Sequence, residues 1–289
     1  MTEPRYPRVL SIAGSDSGGG AGIQADLKTV AALGCYGMTA VTAITVQNTV
    51  GVQAIHAVPP DILAGQIDAV LSDIGADAIK IGMLHAPAIV DVVARALDVH
   101  AAPQVASSGA SGLASKAASN VVLDPVMVAA SGDRLIEQET VEHLVRQLFP
   151  RVALIAPNLD EAALLLGRPI DAVDQLGDAA RALLALGARA VLLKGGHLPG
   201  DTVVDVLATP GGLQRFTAPR IATRNLHGAG CTLSSAIAAH LALGASLADA
   251  VAAGRGYTLA ALQAGAAVRT GQGRGPLNHG FAPRPLSAR

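Results

Sequence analysis

No tryptophan occurs in this sequence of 289 residues, and aromatic residues of all kinds amount to 2% of it. The hydrophobic half of the composition must therefore be packed as Ala, Val, Leu and Ile, which suits helices laid on a parallel sheet. Only two cysteines are present, Cys35 and Cys231, too few for a disulfide framework, and a reducing compartment is expected. Neither sign of charge dominates: 21 Lys and Arg face 22 Asp and Glu, a net charge of -1, which argues against binding to nucleic acid or a membrane surface. No charge-free apolar run approaches the ~18–20 residues that span a bilayer. The opening MTEPRYPRVL lacks the basic-then-apolar order of a signal peptide, so a soluble cytoplasmic protein is expected. A P-loop, GxxxxGK[ST], is missing, and so is any CxxC or HExxH spacing for zinc.

What is present alternates. Strand patterns at Arg8–Ala13, Gly37–Gln47, Ala78–Met83, Asn120–Leu123, Val152–Ala156 and Ala190–Leu193 are separated by helix patterns of roughly 10–15 residues. The helices run from Ile23 to Gly34, Pro60 to about Ile74, Pro87 to about Val99, Glu137 to Leu148 and Asp174 to Leu186. Such βαβ repetition predicts an α/β fold with a central, mainly parallel sheet. Asp201–Leu207 and Leu213–Phe216 read as a hairpin turning at Pro210-Gly211-Gly212. Ser246 and Asp249 have the spacing of a capping box for a last helix to Ala264. Residues 101–119, rich in Ser, Ala and Gly, read as a flexible insertion in a single domain, and the Gly/Pro/Arg-rich segment from Gly271 as a surface arm.

The chain is organised around Thr223–Gly244, TRNLHGAGCTLSSAIAAHLALG, where Gly228-Ala229-Gly230-Cys231 runs straight into an Ala/Leu helix. Bare N–H groups at such a helix entrance can hold an anion. A thiol at that positive end is more easily ionised. A Gly-rich connection with a buried cysteine accounts for the stretch equally well. An earlier Gly-rich turn, Gly14–Gly22, follows the first strand, but Ile23 stands where a dinucleotide fingerprint needs glycine. Asp26, one turn into the next helix, reads by itself as a solvated carboxylate.

Strand ends supply the rest: Gln47, Met83, Asp124, Asn158 with Glu161, and Lys194 with two glycines. In a doubly wound sheet these ends share one edge. The set suits phosphoryl transfer, which asks mainly for positioning and charge stabilisation. Asp124 and Glu161 are hard oxygen ligands for Mg²⁺, Lys194 neutralises phosphate oxygens, and the Gly228–Cys231 N–H groups meet charge on the phosphoryl group. Acidic residues in a plain first helical turn explain Asn158 and Glu161 almost as well. His227, four residues before Cys231, reads as a loop-positioning residue rather than the base of a Cys–His pair.

Several stretches in order, IAGSDSGGGAGIQADLKT, TAITVQNT, IKIGML, VVLDPVM with SGD, IAPNLDEAALLLG, VLLKGGH and HGAGCTLSSAIAAHLALG, resemble the hydroxymethylpyrimidine/phosphomethylpyrimidine kinases of the ribokinase-like superfamily. The resemblance covers about Val9 to Gly275. It implies a three-layer sandwich with helices on both sheet faces, usually in a homodimer. It implies ATP-dependent phosphorylation of a hydroxymethylpyrimidine and then of its monophosphate, in thiamine biosynthesis. By the same resemblance Gly14, Asp26, Gln47 and Met83 surround the pyrimidine with Val126 close by, which raises Asp26 from solvated carboxylate to ligand contact. Asn158, Lys194 and Thr223 fall on the nucleotide side, and Cys231 takes the place where most ribokinase relatives carry an aspartate base. Two features depart from the pattern: Ala229 replaces a threonine, and the 101–119 insertion is extra. A pyridoxal kinase and a catalytically silent pyrimidine-binding regulator are the competing readings.

Overall fold

The computed structural model describes residues 4–101, 120–127 and 136–288. Nine strands are β1 (Arg8–Asp16), β2 (Tyr36–Gln47), β3 (Val52–Ala57), β4 (Ala78–Ile81), β5 (Val121–Leu123), β6 (Leu154–Ile155), β7 (Val191–Leu193), β8 (Thr202–Thr209) and β9 (Gly212–Pro219). They form one sheet in the order β3-β2-β1-β4-β5-β6-β7-β8-β9. From β2 through β7 every pairing is parallel, while β3, β8 and β9 join antiparallel at the two edges. Parallel strands are covered on both faces, and here β4, β5 and β7 are buried at every position.

Alternation along the strands feeds two cores. Leu10, Ile12, Ile79, Ile81 and Leu123 pack under α2 (Pro60–Asp73), α3 (Pro87–Ala101), α4 (Gln138–Gln147), α5 (Leu159–Leu166) and α6 (Leu176–Leu184). Helix α1 is Gly22–Ala32. Val9, Ala78, Val122 and Leu154 face the other way, against α1, α7 (Ala229–Ala242) and α8 (Leu247–Gly265). This is the expected three-layer sandwich. Helix α7 is buried from Thr232 to Ala239, so its small residues allow close approach to the sheet where bulkier ones would not fit.

The differences from the sequence reading are local. Strand β3 was not anticipated: VQAIHA is mostly exposed on an edge and carries no buried stripe to mark it. Strand β1 runs three residues further, to Asp16, with a register shift between Ala13 and Ser15 that places Gly14 at an irregularity beside the site. The Ser246 cap is formed by its hydroxyl, which accepts from Asp249 N–H at 3.3 Å and donates to the Asp249 carboxylate at 2.6 Å. The 101–119 insertion lies outside the described residues apart from Ala101, which ends α3.

The segment after Gly271 is tied to the body rather than lying free on its surface. Leu277 and His279 are buried, and Arg274 and Asn278 donate their N–H groups to Thr49 and Ala261. Thr232 Oγ1 donates to the Gly228 carbonyl at 2.8 Å, so its lone pair accepts from His279 Nε2–H at 2.9 Å. Burial pushes the His279 imidazole down to about 4, and the Lys28 charge adds to that. A histidine kept neutral in the fold but free to protonate when unfolded costs stability as pH falls below 6.5, with the full loss reached near 4. We expect His279→Gln to flatten this part of the stability profile, by an amount on the order of 3 kcal/mol at most. Urea midpoints at pH 7 and pH 4.5 test it; parallel losses in both proteins would count against it.

Candidate active site

The C-terminal ends of the parallel strands open into a cleft of about 1200 Å³. One end is lined by Gly14, Thr45, Gln47, Met83 and Val126, the other by Asp124, Asn158, Glu161, Lys194 and Thr223. Between them stands the entrance of α7, with Gly228, Ala229, Gly230 and Cys231. The strand-end residues expected to share an edge do share it.

Local backbone demands explain the glycines. Gly228 caps α7 with φ of 81°, and a Cβ there would overlap the Gly20 carbonyl oxygen. Gly14 leaves room for Met83, whose Cε would lie 2.8 Å from an added Cβ. At the helix entrance Ala229 N–H is already given to Leu226 carbonyl, and Thr232 N–H closes the first turn on Gly228. Gly230 and Cys231 occupy N2 and N3, whose N–H groups have no carbonyl within the helix to meet. The anion-binding face is thus narrower than the four-residue stretch suggested.

The charged end is tightly paired. Lys194 Nζ donates to Asp124 Oδ1 at 2.7 Å, and Ser234 Oγ reaches Asp124 Oδ2 at 3.3 Å. Burial works against the Lys194 charge, but Asp124 and Glu161 more than offset it and hold the ammonium above its usual range. Glu161 forms a true capping box with Asn158: each accepts the other's backbone N–H, at 2.8 and 3.0 Å. The plain helix cap is therefore formed, and Glu161 is in addition buried beside Lys194 and Asp124. Burial pushes its carboxyl up to about 7, with Lys194 pulling down and Asp124 pushing up. Two buried carboxylates with one lysine between them are short of positive charge, a donor set that fits a hard divalent cation completed by phosphate and water. Among the described residues no group of three or more His, Cys, Asp or Glu is arranged to hold a metal by itself.

Three expected roles look different in three dimensions. Asp26 is fully buried and is absent from the cleft wall; its oxygens accept from Lys80 Nζ at 2.8 and 3.0 Å, from Ser11 at 2.5 Å and from Ser235 at 2.7 Å. With three donor groups making four contacts to it, the carboxylate supports the floor beneath Cys231 rather than meeting a ligand. The Thr223 hydroxyl is on the wall, yet it donates to Ala266 carbonyl and accepts from Asn225 N–H, both at 3.0 Å. Cys231 is not activated by its helix end: burial pushes the thiol up to about 11, Lys80 pulls it down, and the carboxylates of Asp26 and Asp124 push it up.

Residues 16–278 match the model of the phosphomethylpyrimidine kinase family. The chain belongs to that family. It is a kinase, a phosphotransferase of the ribokinase-like fold. The hydroxymethylpyrimidine/phosphomethylpyrimidine kinase of Rhizobium meliloti is 46% identical over 271 residues, which are 93% of this chain and 96% of the relative. The thiamine biosynthesis bifunctional protein ThiED of Geobacter sulfurreducens is 46% identical over 286 residues, 98% of this chain, but the chain spans only 55% of that longer protein. Among solved structures, phosphomethylpyrimidine kinase from Clostridium difficile matches with TM-score 0.73 and 39% identity, over 88% of this chain and 99% of the other. The pyridoxal kinase of Staphylococcus aureus in complex with AMP-PCP matches with TM-score 0.83 and 33% identity, over 96% and 94%.

Several residues that build this family member's site had gone unassigned. Lys80 stands in an apolar strand, and a lysine there signals a buried partner by itself. Asp16 accepts from the N–H groups of Gly18, Gly20 and Ala21 and from His227, so it ties the first Gly-rich turn to the loop before α7. His227 thereby takes the loop-positioning role. Arg255 donates to Asp205 at 2.6 Å, and Asp205 accepts Gly195 N–H, which steadies the backbone after Lys194. No spacing rule links these partners, so only the fold could find them.

Proposed function

We propose that this chain phosphorylates 4-amino-5-hydroxymethyl-2-methylpyrimidine with ATP, and then phosphorylates the monophosphate to the diphosphate. The observation that carries the reading is the single cleft that joins Gln47 and Met83 to Asp124 and Lys194, with Cys231 between them. The flat ring goes to the Gln47 end, where the amide can answer a ring nitrogen and its neighbouring amine. The nucleotide phosphates go to Lys194, near Asn158 and Thr223. The hydroxymethyl oxygen attacks the γ-phosphorus, a new O–P bond forms, the bond to the β-phosphate oxygen breaks, and ADP leaves. The hydroxyl proton passes to Cys231 Sγ in its thiolate form. The N–H groups of Gly230 and Cys231 receive charge on the transferred group, which favours transfer only if they are aimed there beforehand. Asp124 and Glu161 would hold Mg²⁺, which supplies charge neutralisation at the phosphates.

The reading extends to a single kinase domain working as a cytoplasmic homodimer. Exposed Ile44, Val46 and Ile55 on the β2–β3 edge support self-association. Likeness to pyridoxal kinases at TM-score 0.83 keeps a second substrate in view. The test is product formation from the aminopyrimidine with ATP and Mg²⁺ beside an equal pyridoxal sample. Successive mono- and diphosphate are expected; pyridoxal phosphate as the main product would reassign the enzyme, and no product from either would favour a binding protein.

A further inference from the structure

Gln47 ends β2 on the cleft wall, and its amide has two unlike faces: Oε1 accepts and Nε2 donates. Which way round it lies decides what pattern a bound ring meets. Its backbone is already fixed, because Ser17 Oγ accepts Gln47 N–H at 2.9 Å and donates to Gln47 carbonyl at 2.8 Å. Only the side chain remains to be set.

By heavy atoms alone, Oε1 lies 3.0 Å from Thr45 Oγ1, and Nε2 lies 3.4 Å from His227 Nε2. A half-turn of the amide exchanges oxygen and nitrogen and moves nothing else, so hydrogens must decide. Thr45 Oγ1 is also 2.9 Å from the Ser15 carbonyl oxygen, and a hydroxyl has one hydrogen. With Oε1 facing Thr45, that single hydrogen must serve two acceptors, and one contact is left as oxygen against oxygen. His227 Nε2 is 2.8 Å from Asp16 Oδ2, a carboxylate held below its usual range because His227 and the N–H groups of Ala21 and Gly18 outweigh its burial. His227 Nε2 therefore carries a hydrogen, and Nε2 of Gln47 facing it sets donor against donor. Turning the amide removes the oxygen–oxygen contact at Thr45 and relieves the donor–donor contact at His227, whose one Nε2 hydrogen stays with Asp16 at 2.8 Å and is shared with Gln47 at 3.4 Å. Thr45 then donates to Ser15 and accepts from Gln47 Nε2, while Gln47 Oε1 becomes the second and weaker acceptor of the His227 Nε2–H that Asp16 holds.

We propose that Thr45 is a specificity-determining positioning residue that locks the Gln47 amide with its nitrogen toward Thr45 and its oxygen toward His227. One N–H and one oxygen lone pair then remain for the ring, in a fixed order. This rests on the pyrimidine reading above. With the hydroxymethyl group held toward Cys231, a 4-aminopyrimidine presents an accepting ring nitrogen beside a donating amine, which pairs with N–H and C=O of the amide. The 4-oxo analogue presents the reverse, a ring N–H beside an accepting oxygen. A locked amide refuses the reversed edge; an amide free to turn accepts either.

The experiment compares KM for the 4-amino substrate with the inhibition constant of the 4-oxo analogue, in wild type, Thr45→Val and Thr45→Ser. Thr45→Val keeps the side-chain shape and removes the acceptor, so the preference for the amino ring should fall about tenfold, the worth of one neutral hydrogen bond. Thr45→Ser should restore it. A loss of packing would weaken both ligands together and leave their ratio alone. An unchanged ratio in Thr45→Val, with wild type still turning over the amino substrate, overturns the inference. Wild type that does not phosphorylate the pyrimidine at all overturns the functional reading, and the locked amide loses its ring partner with it. Should Thr45→Val not fold, the Thr45→Ser ratio set against Thr45→Ala decides in the same way.

Discussion

Cys231→Ala is expected to lower kcat by about 10²–10⁴-fold, the range for losing a positioned proton acceptor, while KM for both substrates changes little. The thiol stands at the junction of the two cleft ends, in the first turn of α7. Its burial has a further consequence. With the thiol pushed up to about 11, only a small thiolate fraction exists near neutrality, and that fraction grows tenfold with each unit of pH. Wild-type kcat should therefore climb from pH 7 to pH 9 with a logarithmic slope near one, and the alanine variant should lose that slope. Steady-state kinetics across this range decide the matter. Near-normal turnover in Cys231→Ala would take the proton away from the thiol and leave the anion-holding N–H groups to carry the effect.

The second large effect is on stability. Lys80→Met should destabilise the fold by about 3–5 kcal/mol, because it leaves the Asp26 carboxylate buried without its cation. Both partners are wholly inaccessible, with the ammonium 2.8 and 3.0 Å from the two oxygens. Burial works against the Lys80 charge; the Asp26 carboxylate, with Cys231 and Asp124 adding to it, reverses that and holds the ammonium above its usual range. Ser11 and Ser235 cannot replace a charge, although their hydroxyls remain. The double variant Lys80→Met/Asp26→Leu should recover most of the loss, since a buried pair is often no better than apolar residues of like volume. Denaturant midpoints for the single and double variants test both halves; a single variant as stable as wild type would refute the account.

Much of this architecture could be read from one dimension. Strand and helix patterns in alternation imply parallel pairing, and parallel pairing brings Gln47, Met83, Asp124, Asn158 and Lys194 to one edge whatever the details of packing. The helix start at Gly228–Cys231 was visible because glycines followed by an apolar stripe are a local signal. Strand β3 escaped because its residues are mostly exposed on an edge, where the hydrophobic pattern is weak. Asp26 could be located but not interpreted, since its partner Lys80 is 54 residues away and its burial depends on how α1 and α7 meet the sheet.

Composition and local pattern determined the fold class, the sheet edge that carries the site and the types of group gathered there, because these follow from short-range periodicity and backbone geometry. Tertiary structure alone decided which groups face one another. It paired Asp26 with Lys80, set Glu161 both in a helix cap and beside Asp124, and drew His279 under α7. It also fixed the charge states, because burial and long-range neighbours set a pKa, and neither is written in the spacing of residues along the chain.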